Sequence, residues 1–187
     1  MAQQFPDDNL AQGIADWLGL SVNDLITKEI IEQEIIERKN NNGNVVLDFM
    51  DTGIQDMSGF EIFNGSGLEY LVLVGNNITN LDVNGLTNLI SLVLSENPVT
   101  TLDISGLDNL EYLGLRDTAL TSLDVSGSTN LRRLNVSGTN LTSLDVSGLY
   151  NLQALYVSPL TEEDIIGLED LQSLTETDFL DNEGPGV

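Results

Sequence analysis

Between Leu68 and Val157 one phrase recurs with a fixed step, and no other feature of the chain restricts its fold as tightly. Leu68, Leu89, Leu110, Leu131 and Leu152 are spaced by 21 residues, and Leu71, Leu92, Leu113, Leu134 and Leu155 keep the same step. A period of this length identifies a stack of short coils, in which each unit buries its apolar side only against its neighbours. The first half of the phrase is L-x-x-L-x-L-x-x-N, complete at Leu89–Asn97, and the second half is typified by Leu102-Asp103-Ile104-Ser105-Gly106.

The phrase resembles the leucine-rich repeat, over residues 45 to 176. That resemblance implies an α/β fold: a right-handed solenoid of about seven coils with a parallel β-sheet on its concave face. Val45 to Ile54 reads as a first coil, offset from the second by 24 residues, with an insertion between Phe60 and Gly67 accounting for the longer step. Strands are expected at Leu71–Leu73, Leu92–Leu94, Leu113–Leu115, Leu134–Val136 and Leu155–Val157. The register breaks at Ser158-Pro159, Thr161 to Asp164 resembles a capping box, and Leu174 to Glu176 is a candidate seventh strand. Residues 177 to 187 have the acidic, Gly-Pro composition of a tail.

Ahead of the repeats, Leu10, Ile14, Trp17 and Leu18 lie on one helical face behind Asp7, Asp8 and Asn9, and Ile26, Ile30, Ile31, Ile35 and Ile36 recur at helical spacing up to Asn40. Residues 1 to 44 therefore form a helical N-terminal cap, covering the apolar end and open strand edge that a first coil exposes. Phe5-Pro6-Asp7-Asp8-Asn9-Leu10-Ala11 and Val22 to Thr27 resemble the cap of bacterial internalin-type proteins. What this implies is a non-catalytic recognition module, secreted or at the cell surface with its leader absent from this chain, which binds a protein or a glycan on its concave face.

Alternation along a strand turns the residues between the leucines outward. One column is Tyr70, Ser91, Tyr112, Arg133 and Ala154; the next is Val72, Val93, Gly114, Asn135 and Tyr156; the third is Val74, Ser95, Arg116, Ser137 and Ser158. Three of the four tyrosines and two of the four arginines fall here. Both side chains concentrate at binding hot spots, so Tyr70, Val72, Val93, Tyr112, Arg116, Arg133, Asn135 and Tyr156 are the partner-binding candidates. The competing reading is that the tyrosines pack the sheet and the arginines pair with neighbours such as Asp117 or Glu111.

Asn76, Asn97, Thr118, Thr139 and Leu160 occupy the corner position, where a small polar side chain bonds the backbone. On the other side Asp82, Asp103, Asp124 and Asp145 recur in L-D-[VI]-[SN]-G. We read them as Asx-turns, with calcium binding by the stacked carboxylates as the alternative. Thr79, Thr100, Thr121 and Thr142 add a hydroxyl column that could meet a glycan.

Thirty acidic against six basic residues give a net charge of −24, which disfavours nucleic acid and anionic membrane. With neither histidine nor cysteine, the usual nucleophile and base pairs and soft-metal sites are missing, and neither an enzyme nor a resident cofactor is expected. No run approaches eighteen apolar residues, so no membrane insertion is expected. A monomer is expected, and a purely structural array within a larger protein is the remaining alternative.

Overall fold

The computed structural model describes residues 5–41 and 43–178. Its first elements are α1 (Asp8–Leu18) and α2 (Lys28–Asn40). Asp7 caps α1, accepting from the backbone N–H groups of Asn9 and Leu10, and Gly19 ends it in the left-handed conformation. Leu10, Ile14 and Ala15 are fully buried, while Trp17 and Leu18 lie partly buried against the same core.

In α2 the buried stripe is narrower than the sequence periodicity. Ile31 and Ile35 are buried, and Ile26 just before the helix joins them, but Ile30 and Ile36 are 37% and 52% exposed. A lid touches what it covers along one line only, so the isoleucines beside that line face outward.

Among the described residues nine strands follow: β1 (Val46–Asp48), β2 (Tyr70–Val72), β3 (Ser91–Val93), β4 (Tyr112–Gly114), β5 (Arg133–Asn135), β6 (Leu144–Asp145), β7 (Ala154–Tyr156), β8 (Ile165–Ile166) and β9 (Glu176–Asp178). A seven-stranded parallel sheet runs β1-β2-β3-β4-β5-β7-β9, and β6 pairs with β8 separately. Chain order equals sheet order because each coil returns its strand beside the previous one, giving about six turns. The strands begin one residue before the expected positions and stay in the 21-residue register from β2 to β7.

The inward leucines build a continuous core. Leu71, Leu92, Leu113, Leu134 and Leu155 are fully buried, as are Leu73, Leu94 and Leu115. Removing one such leucine from water is worth about 2 kcal/mol, repeated coil after coil.

Both ends are irregular for local reasons. Between β1 and β2 a 3-10 helix, Phe60–Phe63, takes up the longer step and buries Phe60, Ile62 and Phe63. Phe60 and Phe63 stack at 4.8 Å, and Trp17 meets Phe63 edge-on at 6.1 Å, which locks the cap to the first coils. The Arg38 guanidinium lies 4.6 Å from the centre of the Trp17 ring.

At the other end, Thr161 and Asp164 form the expected capping box on a 3-10 turn, Glu162–Asp164, and Ile165–Ile166 then pair as β8. The seventh strand is Glu176–Asp178, two residues later than expected, because Ala154 pairs with Glu176 across a step of 22. Leu168, Leu171 and Leu174 thus lead up to the strand, as Val146, Leu149 and Leu152 do one coil earlier. The sheet continues past Ser158-Pro159, and β9 extends past the expected start of the tail at residue 177; residues 179–187 lie outside the described residues.

Candidate functional site

The strand register assembles the outward residues into rows. Val46, Tyr70, Ser91, Tyr112, Arg133, Ala154 and Glu176 are successive partners, and Asp48, Val72, Val93, Gly114, Asn135 and Tyr156 form the adjacent row. Ladder bonds from Asp51, Gly75, Glu96, Asp117 and Gly138 to the carbonyls of Val74, Ser95, Arg116, Ser137 and Ser158 set the third. Rows of this kind present one side chain about every 4.8 Å.

The candidates differ in what they offer. Arg116 and Arg133 are exposed, and Tyr70, Val72, Tyr112 and Asn135 are half-buried. Val93 is only 3% exposed and Tyr156 only 9%. Gly114 explains the first: with no side chain of its own, it leaves a pit in which Val93 Cγ1 and the Tyr112 hydroxyl stand 3.0 Å and 3.2 Å from where a Cβ would be. Tyr112 consequently leans along its strand over Gly114.

Tyr156 donates its hydroxyl to Glu176 Oε2 at 2.7 Å. Burial raises its ionisation above the ordinary tyrosine range, and the Glu176 bond adds to the effect. Tyr112 is also raised by burial, with the Arg133 charge opposing. Both phenols are therefore neutral at physiological pH.

Among the arginines, Arg116 Nε lies 3.1 Å from Asp117 Oδ2, the local pairing that the competing reading anticipated, and Arg132 Nε lies 3.1 Å from Glu111 Oε2. Arg133 makes no ion pair among the described residues. Four contributors escape a list built on the regular repeats: Val46, Asp48 and Met50 extend the rows through the first coil, where the step of 24 hides the alignment, and Glu176 extends the first row at the other end.

The corner position is structural. Asn97 Oδ1 accepts from Ile78 N, and its Nδ2 donates to Leu73 O of the preceding coil at 2.7 Å and to Leu94 O at 3.0 Å. Asn76 does the same one coil earlier. Thr118 and Thr139 each donate once, to Leu115 O and Val136 O. A second ladder went unread in the sequence: Asn109, Asn130 and Asn151 donate to the carbonyls of Thr87, Asp108 and Thr129 in the coil before. Its signal was the recurring x-N-L at the 21-residue step.

The aspartate column forms Asx-turns. Asp82, Asp103, Asp124 and Asp145 each accept through Oδ1 at 2.9 Å from the N–H two residues on. Bonds from Ser105, Ser126 and Ser147 hold the last three carboxyls below the ordinary aspartate range. Among the described residues no three acidic side chains converge as a metal site would require. The threonine column, Thr79, Thr100, Thr121 and Thr142, is exposed.

A solenoid of leucine-rich coils under a helical lid is thus the class defined by fold and surface: the chain is a leucine-rich repeat protein. The Leucine Rich Repeat family pattern matches residues 130–152. Its structure matches internalins of Listeria monocytogenes. The functional domain of InlJ superimposes with a TM-score of 0.80 at 31% identity, over 95% of this chain and 38% of that one. Internalin InlF of strain 4b F2365 gives 0.65 at 26% identity, over 92% of this chain and 56% of that one. Internalin C2 of the same strain gives 0.61 at 25%, over 92% and 83%.

The chain therefore spans less than two thirds of the InlJ and InlF chains. The InlJ domain is described as including a cysteine ladder, whereas this chain has no cysteine and stacks asparagines and aspartates. No match is found among curated protein sequences. No helix among the described residues is long and apolar enough to cross a membrane.

Proposed function

We propose that the array is a non-catalytic recognition module that holds a protein partner on its concave face, as part of a secreted or cell-surface interaction protein. The observation that carries this reading is the convergence of Tyr70, Tyr112, Arg116 and Arg133 on one accessible parallel sheet, in rows set by the register. Large planar side chains on a rigid scaffold bind at low entropic cost. The convex carboxylates, by contrast, are already engaged by their own turns.

Photo-crosslinking residues placed singly at Val74 and Ser95, and at Thr100 and Thr121 on the convex side, test the assignment of faces. With surface protein extracts, discrete adducts are expected from Val74 and Ser95 alone. Adducts arising only from Thr100 and Thr121 would overturn it.

A further inference from the structure

The concave face changes character along its length. At the cap end it is apolar: Val46 and Met50 are 37% and 41% exposed, and Tyr70, Val72 and Val74 are half-buried beside them. Two acids border this region: Asp48 is engaged by Met50 N at 3.1 Å, and the exposed Asp51 turns its carboxylate over Gly75 at the corner. Beyond Gly114 the rows turn polar, with Arg116, Arg133, Asn135, Tyr156 and Glu176.

Within the polar half the groups are not equivalent. Asp117 occupies Arg116, and Glu176 occupies the Tyr156 hydroxyl. Tyr112 and Arg133 are register neighbours, and neither the Arg133 guanidinium nor the Tyr112 hydroxyl, which lies over Gly114, has such a partner among the described residues. Ala154 on the far side of Arg133 leaves the guanidinium unobstructed. An exposed fork of donors and a phenolic O–H beside it suit a carboxylate.

The surrounding charge of −24 does not cancel this preference. Exposed charges beyond about 8 Å are largely screened, whereas a carboxylate in contact with the guanidinium feels it directly. The distant acids instead penalise a carboxylate placed anywhere else, which orients the partner.

We propose that the concave face reads a protein segment with a fixed polarity: apolar side chains on Val46, Met50, Val72 and Val74, and an Asp or Glu carboxylate on Arg133 and Tyr112. The proposal rests on the concave-face reading above and specifies the partner's chemistry. From β2 to β5 is three strand spacings, about 14 Å, which an extended segment covers in about four to five residues. The motif expected in a partner is an apolar pair separated by that distance from an acid.

A random dodecapeptide library displayed on phage, panned against the purified chain, supplies the probe. Enriched peptides are expected to carry an acid about four to five residues from an apolar pair. A synthetic copy should bind about ten-fold more weakly to Arg133→Gln and to Met50→Asp, and equally well to Thr121→Ala. Replacing the peptide's acid by its amide should weaken binding to the native chain but add little with Arg133→Gln.

Peptides lost on Tyr70→Ala or Tyr112→Ala yet indifferent to Arg133→Gln would overturn the polarity while leaving the concave site standing. Enrichment of Lys- and Arg-rich peptides without an acid would also overturn it, since bulk charge would then be the attraction. No enrichment, or peptides that tolerate every concave change, would overturn both readings.

Discussion

Asp7 and Gln55, separated by the whole cap in sequence, are joined by a 2.7 Å bond from the Gln55 N–H to Asp7 Oδ2. The same oxygen accepts from Asp56 N, while Oδ1 caps α1 through Asn9 and Leu10. One carboxylate thus starts the helix and fastens the lid to the first coil. Asp7→Ala removes a helix cap and two further charge-assisted bonds, and should lower stability by about 2 kcal/mol in urea unfolding. A change under about 0.5 kcal/mol would show that the lid is held by its aromatic contacts alone.

Acid should release the lid through the same group. Partial burial works to raise the Asp7 carboxyl, but the four backbone N–H groups outweigh it and hold the group below the ordinary range. A carboxyl depressed in the folded state contributes stability that is present above its unfolded value, about 3.9, and is lost as pH falls through the folded one. Asp103, Asp124 and Asp145 have the same sign. The melting temperature should fall below about pH 4, and Asp7→Asn should flatten that fall; an unchanged acid slope in the variant would contradict it.

The two halves of the inner corner ladder should respond differently to substitution. Asn97→Ala strands Ile78 N and the carbonyls of Leu73 and Leu94 in a buried corner, at a cost of about 3 kcal/mol or more. Thr118→Ala removes one bond, to Leu115 O, and should cost about 1 kcal/mol. Equal costs by denaturant titration would show that bonding between coils adds nothing beyond packing.

After each of β1 to β5 the chain turns through a left-handed residue, and that position is held by either a glycine or an acid. Asp51, Gly75, Glu96, Asp117 and Gly138 all have positive φ, from 55° to 69°. At Gly138 a Cβ would collide with Asp117 Oδ1, and at Gly75 with Asp51 Oδ1. Gly138→Ala should therefore destabilise by about 2 kcal/mol, combining the collision with the left-handed penalty, whereas Glu96→Gly should stabilise by about 1 kcal/mol. Thermal unfolding of the two variants distinguishes the signs.

The regular coils were legible because their leucines, corner residues and aspartates repeat without interruption, and a fixed period carries strand register with it. The first and last coils departed where the step did: 24 residues hid Val46 and Met50, and a step of 22 moved the last strand to Glu176–Asp178. Outward orientation was legible from alternation, but accessibility was not. Nothing in the columns shows that Tyr112 folds over Gly114 or that Val93 is covered, because the first depends on the direction a side chain takes along its own strand and the second on its neighbour in the next coil. Likewise Arg116 and Arg133 look alike in sequence, and only the αL corner beside Arg116 supplies the Asp117 partner.

The most direct test is the affinity of a selected peptide or identified partner for three proteins: the native chain, Tyr112→Ala with Arg133→Ala, and Asp103→Asn with Asp124→Asn. Recognition on the concave face predicts a loss of about 100-fold or more for the first pair, equivalent to about 3 kcal/mol, and no loss for the second. Full affinity in the Tyr112 and Arg133 variant, with binding lost in the aspartate variant, would contradict it and move the site to the convex side.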